Sequence, residues 1–232
     1  MTHGVIRALF LFLLVLAASS GFAQSFRFAV EGGVPLTSAF ETGTSEALPT
    51  PVPIGSWSET VTYSSSTRRY TVGASAELEL PFQLAIQAGV LYKRLGFDYL
   101  SAGVLTGTAL AASVTGSGTA NSWEFPLLAK YGVGSRGPLQ PYVEAGVVLR
   151  HLQGVSETNS TTAVPQIIPA SALSHSFTPG FTAGAGLELR HRLAGVFGEI
   201  RYTRWTQDAF SAPEGGLNSA RNQAELLLGV TF

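Results

Sequence analysis

Cysteine is absent from the 232 residues, which removes disulfide frameworks, thiolate nucleophiles and cysteine metal sites from consideration. Charge is scarce as well. Asp, Glu, Lys and Arg make up 12% of the chain, about half the share of an ordinary soluble domain, so something other than a charged surface must keep it in its solvent. The formal net charge of −1 offers no basic face for a nucleic acid. Beyond the first residues no apolar run approaches the roughly 20 residues of a membrane helix, because Gly, Pro, Ser and Thr interrupt it throughout.

What is present begins with a targeting signal. Arg7 supplies a positive n-region, Ala8 to Ala18 an apolar h-region, and Gly21-Phe22-Ala23 a small-x-small cleavage site. The expectation is a signal peptide over 1–23 and one domain over 24–232, exported from the cytoplasm. A transmembrane anchor is the alternative, and its apolar run is too short.

The mature chain repeats with period two. In "RRYTVGASAELELPF", Tyr70, Val72, Ala74, Ala76, Leu78 and Leu80 share one face, and Arg69, Thr71, Gly73, Ser75, Glu77 and Glu79 the other. Eight such strands are predicted, over 25–35, 67–80, 84–95, 120–131, 140–152, 178–190, 195–206 and 219–232. Residues 37–66, 97–118, 153–177 and 207–218 read as long polar loops, whereas 81–83, 132–138 and 191–194 read as short turns. Alternating short turns and long loops predict an all-β fold: an eight-stranded antiparallel up-and-down transmembrane β-barrel, of the smallest outer-membrane size.

A soluble lipocalin-like barrel would have the same strands with the apolar face inward. Charge placement favours the membrane form. Arg27, Glu31, Arg69, Glu77, Glu79, Lys93, Glu124, Lys130, Glu144, Arg150, Glu188, Arg190, Glu199, Arg201, Arg221 and Glu225 all fall on the polar parity, where a membrane barrel has its lumen. Gly33, Gly73, Gly89, Gly146, Gly184, Gly186 and Gly229 share that parity and are expected to make room for long Arg and Glu side chains.

Aromatic girdles are the second sign. With the amino terminus in the periplasm, Tyr70, Tyr92, Trp123, Phe181 and Tyr202 fall near the loop end of the apolar face, and Phe26, Tyr131 and Phe232 near the turn end. Phe232 is then the terminal aromatic of the last strand, expected to be recognised by the barrel-assembly machinery. Arg68, Arg94 and Arg204 each stand two residues beyond a girdle tyrosine (Tyr70, Tyr92 and Tyr202) on the lipid-facing parity, at headgroup height. The predicted long loops contain no Lys or Arg, so a lipopolysaccharide partner is expected at these three arginines, whose planar forks suit phosphate.

The segments "SFRFAVEGGVPL", "LAIQAGVLYKRLG", "WEFPLLAKYG", "PYVEAGVVL", "GAGLELR" and "LLLGVTF" resemble the PorT-like outer-membrane β-barrel family, over nearly the whole mature chain. The resemblance implies an eight-stranded barrel in a Gram-negative outer membrane. It implies no reaction.

Chemistry-bearing motifs are few. "GVGSRG" (132–137) matches a dinucleotide fingerprint literally, but Pro138 and the strand "PYVEAGVVL" follow where a helix is required. His151, His175 and His191 are scattered, without metal-ligand spacing. "NST" at Asn159 has the form of a glycosylation sequon, without force in a bacterial setting. Ser174 beside His175 admits an alternative, an outer-leaflet lipid-modifying enzyme of the lipid A deacylase kind, which needs a nearby carboxylate to complete it. The expectation is a non-enzymatic, monomeric protein without cofactor or metal, filled by a polar lumen. Its structural or interaction role is among outer-membrane lipids, with the assembly machinery and periplasmic chaperones as partners during biogenesis.

Overall fold

The computed structural model describes residues 25–53, 55–68, 70–108, 110–134, 137–161, 173–191, 194–210 and 217–232. The expected signal peptide and Arg69 lie outside them. The strands are β1 (Phe26–Pro35), β2 (Phe40–Glu41), β3 (Gly43–Val52), β4 (Gly55–Ser65), β5 (Thr71–Glu79), β6 (Leu84–Thr106), β7 (Ala111–Gly132), β8 (Leu139–Thr161), β9 (Phe177–Arg190), β10 (Gly195–Trp205), β11 (Asn218–Ser219) and β12 (Asn222–Thr231). The only helical piece among the described residues is a 3-10 turn at Pro81–Gln83.

Eight of these strands close on themselves in the order β6-β5-β1-β12-β10-β9-β8-β7, with β7 returning to β6. The first and last strands seal the cylinder, Ala29 opposite Thr231 and Pro35 opposite Glu225. Phe232 extends that seam, its N–H donating to the Phe28 carbonyl at 2.8 Å and its carbonyl accepting from the Phe28 N–H at 3.2 Å. Closure satisfies every edge, which is what a sheet in hydrocarbon requires.

The two faces are inverted relative to a soluble barrel. Outward positions expose Phe28, Val30, Val72, Phe125, Leu127, Val143, Val147, Phe181, Leu187, Ile200 and Leu228, while Glu31, Lys93, Glu124, Glu144, Glu188, Arg201 and Glu225 are buried inside. An apolar belt of this kind is stable only against lipid, since roughly 25 cal/mol per Å² of apolar surface would be lost in water. Its upper rim is a run of rings: Tyr70 lies 6.5 Å from Tyr92, and Tyr92 lies 5.0 Å from Trp123. Tyr131 and Phe232 stand exposed at the other rim.

The predicted loops are mostly sheet. β6, β7 and β8 run for 23, 22 and 23 residues, about twice the span a tilted membrane strand needs. β5 pairs with the first half of β6 and β4 with the second half, Ser65 opposite Phe97 to Ser56 opposite Thr106. β3 adds to β4, giving a wall β3-β4-β6-β7-β8 beyond the barrel. Its free edge, β3, carries Pro49 and Pro51, which donate no hydrogen bond and so block further strands. Ser and Thr in these segments read as loop residues. Between them, however, Val61, Tyr63, Phe97, Tyr99 and Val114 keep the period of two and are buried.

A single backbone device joins barrel to wall. Between Thr119 and Asn121 the β7–β8 register shifts, and Gly154 opposite the shift has φ of +63°. A glycine bulge here turns β8 over, so that Arg150 and Leu152 face inward below it while Ser156 and Thr158 face outward above it.

Candidate functional site: the lumen and its upper rim

The inward side chains form three charged layers. At the turn end, Arg27 reaches Glu188, Glu77 (3.7 Å) and Glu79 (3.6 Å), Lys130 holds Glu77 (2.9 Å), and Arg190 bridges Glu79 (3.1 Å) and Glu188 (3.0 Å). Below them a cavity of about 540 Å³ opens, lined by Glu77, Lys130, Tyr142 and Glu188 among others. In the middle, Arg201 binds Glu144 at 3.0 Å and Glu199, and the Tyr142 hydroxyl donates to Glu199 at 2.7 Å. Glu31 is buried at this level, and among the described residues neither of its oxygens has a hydrogen-bond partner. Higher still, Lys93 sits between Glu124 (3.0 Å) and Glu225 (3.3 Å), and Thr71 donates to Glu225 at 3.1 Å.

Arg150 differs from the others. It faces Glu124 across β7–β8, but that carboxylate is bound to Lys93. Its guanidinium lies 4.1 Å from the Trp205 ring centroid, a cation–π contact inside a desolvated space, and no described carboxylate comes within ion-pair distance. Trp205 on β10 stands opposite Gly180, and Phe197, Tyr142, Phe97 and Tyr99 likewise stand opposite Gly229, Gly186, Gly118 and Gly116. Gly186 and Gly229 of the expected set therefore seat rings, whereas Gly33 and Gly73 lie against Leu227 and Leu91, and Gly89 and Gly146 lie close to the backbone of the adjoining strands. Only Gly184, of the expected set, gives way to a carboxylate, that of Glu144. Rings need the space because an inward aromatic lies flat over its cross-strand neighbour, whereas Arg and Glu extend into the open centre.

Above the charged layers the lumen is apolar. Phe40, Tyr63, Leu95, Phe97, Tyr99, Leu152, Phe210 and Leu217 form one buried cluster. Phe40 lies 5.4 Å from both Phe97 and Phe210, edge to face. The small β2–β11 pair, Phe40 opposite Ser219, holds two connections together over it. These residues carried a usable signal, period two continuing past Leu95. The expectation of polar loops overlooked it.

Arg221 is not a lumen residue. Just before β12, its side chain is half exposed and clasps Asp208 through two hydrogen bonds, 2.8 and 2.5 Å. Parity misplaced it because the strand begins one residue later, so Arg221 belongs to the connection. The clasp holds the Asp208 carboxyl below the ordinary carboxylate range, chiefly through the Arg221 hydrogen bonds. His175 is exposed beside the same connection, its Nδ1 bonded to the backbone carbonyl of Asp208 at 3.2 Å. The Asp208 carboxylate thus serves Arg221, and the contact of His175 with Asp208 is to its backbone carbonyl. His151 stacks on Phe177 at 4.2 Å, and no described group of His, Asp and Glu has metal-site geometry.

Arg94 and Arg204 lie on β6 and β10, whereas Arg68 lies in the connection before β5. Arg68 and Arg204 are exposed, and Arg94, half-buried on β6, donates to Thr119 at 3.4 Å. Tyr92 donates to Asn121 at 2.9 Å and Tyr202 to Asn222 at 2.7 Å, which anchors both girdle rings to a neighbouring strand.

Residues 22–204 match the outer membrane protein beta-barrel domain family, and the chain belongs to that family. No curated protein sequence matches it. Among solved structures, the outer membrane protein OprG from Pseudomonas aeruginosa is similar in fold at a TM-score of 0.50 and 12% identity, covering 90% of this chain and 95% of that one. AlkL in lipid bilayers aligns at a TM-score of 0.42 and 14% identity, with 93% of each chain covered. Neisserial surface protein A aligns at 0.38 and 13%, covering 90% and 98%. The protein is an outer-membrane β-barrel.

Proposed function

We propose that this barrel is a non-enzymatic, non-conducting anchor that presents a folded sheet outside the cell and has a structural or interaction role in the envelope. The observation that carries this reading is the filling of the lumen, ion pairs from Arg27 to Lys93 followed by the apolar cluster around Phe97. An eight-stranded interior is only wide enough for side chains, and here they meet from all walls. Planar-bilayer recording of the purified monomer tests it, with stable porin-sized conductance as the outcome that refutes it.

The partners follow from position. Lipopolysaccharide binds at Arg68, Arg94 and Arg204, each two residues beyond a girdle tyrosine in the sequence. The Phe232 terminus is the feature read by the assembly machinery after export by residues 1–23 and escort by periplasmic chaperones, and the PorT-like subfamily is the membership that the strand segments favour. Changing all three arginines to Gln lowers lipopolysaccharide co-purification if the phosphate reading holds. An equal loss of stability in phosphatidylcholine and in lipopolysaccharide points instead to ordinary snorkelling.

A further inference from the structure

We propose that the outer face of the β4-β6-β7-β8 wall docks the oligosaccharide core of lipopolysaccharide; this rests on the phosphate reading of Arg94 and extends it upward along the same strand. The registers place Ser64, Asp98, Ser117 and Thr158 in one row across the four strands, with Thr62 and Thr115 in the next row around Leu100. Strand geometry spaces such a grid by about 4.8 Å across and about 6.8 Å along. A shallow groove of about 600 Å³ runs over it.

Three observations select a sugar as the occupant. Hydroxyls both donate and accept, as sugar hydroxyls do, and Asp98 adds an acceptor. The exposed face is nearly free of charge, Asp98 being the one charged residue in these two rows, whereas a sheet face meant only for water ordinarily carries many. The face is also continuous with the rim below it: Arg94 donates to Thr119, and the Thr119 and Ser156 hydroxyls lie 3.1 Å apart at the foot of the grid. Read upward from Tyr92 and Trp123, one wall presents an aromatic rim, a guanidinium and a hydroxyl grid. This is the sequence of acyl chain, phosphate and sugar in one lipid molecule. The Gly154 bulge is what turns Ser156 and Thr158 to this side.

The test compares thermal midpoints of the full chain in bilayers of phosphatidylcholine, with deep-rough lipopolysaccharide lacking the outer core, or with full-core lipopolysaccharide. Wild type should rise from the first to the second and again to the third. The combined Thr62→Val, Asp98→Asn, Ser117→Ala and Thr158→Val variant should lose the second rise and keep the first, with unchanged heat-modifiable migration in phosphatidylcholine showing that it folds. A variant that keeps the second rise, or a wild type that shows none, overturns the proposal. Failure of the first rise, unaltered by Gln at Arg68, Arg94 and Arg204, sinks the phosphate reading instead. A detergent dimer abolished by the same substitutions would mean that the wall binds a second copy of this chain, and would also overturn it.

Discussion

The ring of Phe97 on β6 lies directly over Gly118 on β7, so closely that a Cβ at 118 would overlap three ring carbons. The pair is the hinge of the upper apolar cluster, since Phe97 also meets Phe40 and Phe210. Gly118→Ala should therefore destabilise the outer wall by about 1–3 kcal/mol, the usual cost of overpacking a core. Phe97→Leu in the same chain should restore most of that loss. Protease susceptibility of the 97–118 segment measures both, and a Gly118→Ala chain as resistant as wild type would remove the ring from its assigned role.

In the middle layer Glu199 is bound by Arg201 and by Tyr142. Glu199→Ala leaves Arg201 with one carboxylate and the phenol unpaired, and breaking a buried pair costs about 3–5 kcal/mol. Arg150→Met should cost less than about 1 kcal/mol, because a stacked cation with no ion-pair partner among the described residues is exchanged for an apolar side chain against Trp205. Urea midpoints in one lipid rank the two, and the reverse ranking would contradict the layer assignment.

The last residue closes the seam through two backbone hydrogen bonds with Phe28. Deleting Phe232 should leave the strands able to form but slow their insertion, lowering the outer-membrane level of heat-modifiable protein. Native levels with unchanged migration would argue that neither the ring nor its two bonds matters to assembly.

Asp208 titrates below its ordinary value of 3.8 in the folded state. A depressed carboxyl contributes stability that is complete above the unfolded pKa and disappears as pH falls through the folded one. The connection carrying Asp208 should consequently loosen in strong acid, and Asp208→Asn should loosen it already at neutral pH and flatten the dependence. Hydrogen exchange at the His175 amide, which bonds the Ala209 carbonyl, reports it.

Much of this architecture was legible without coordinates. Period two from Tyr70 to Leu80, the parity of the charged residues and the girdle aromatics are local facts. They specify a barrel turned outside-in because successive side chains of a strand must point to opposite faces. The eight strands of the barrel itself followed from the same periodicity.

What only the tertiary structure decided depends on which strand lies beside which. No local pattern tells that Glu124 turns to Lys93 rather than to Arg150, that Phe97 needs Gly118, or that Arg221 leaves the lumen for Asp208. Each is a cross-strand or cross-lumen relation between residues distant in the chain. The Ser- and Thr-rich stretches were misread for the same reason. Alone they have the composition of loops, and they become sheet because β4 finds the upper half of β6, where its Val61 and Tyr63 join an apolar cluster that no single segment contains.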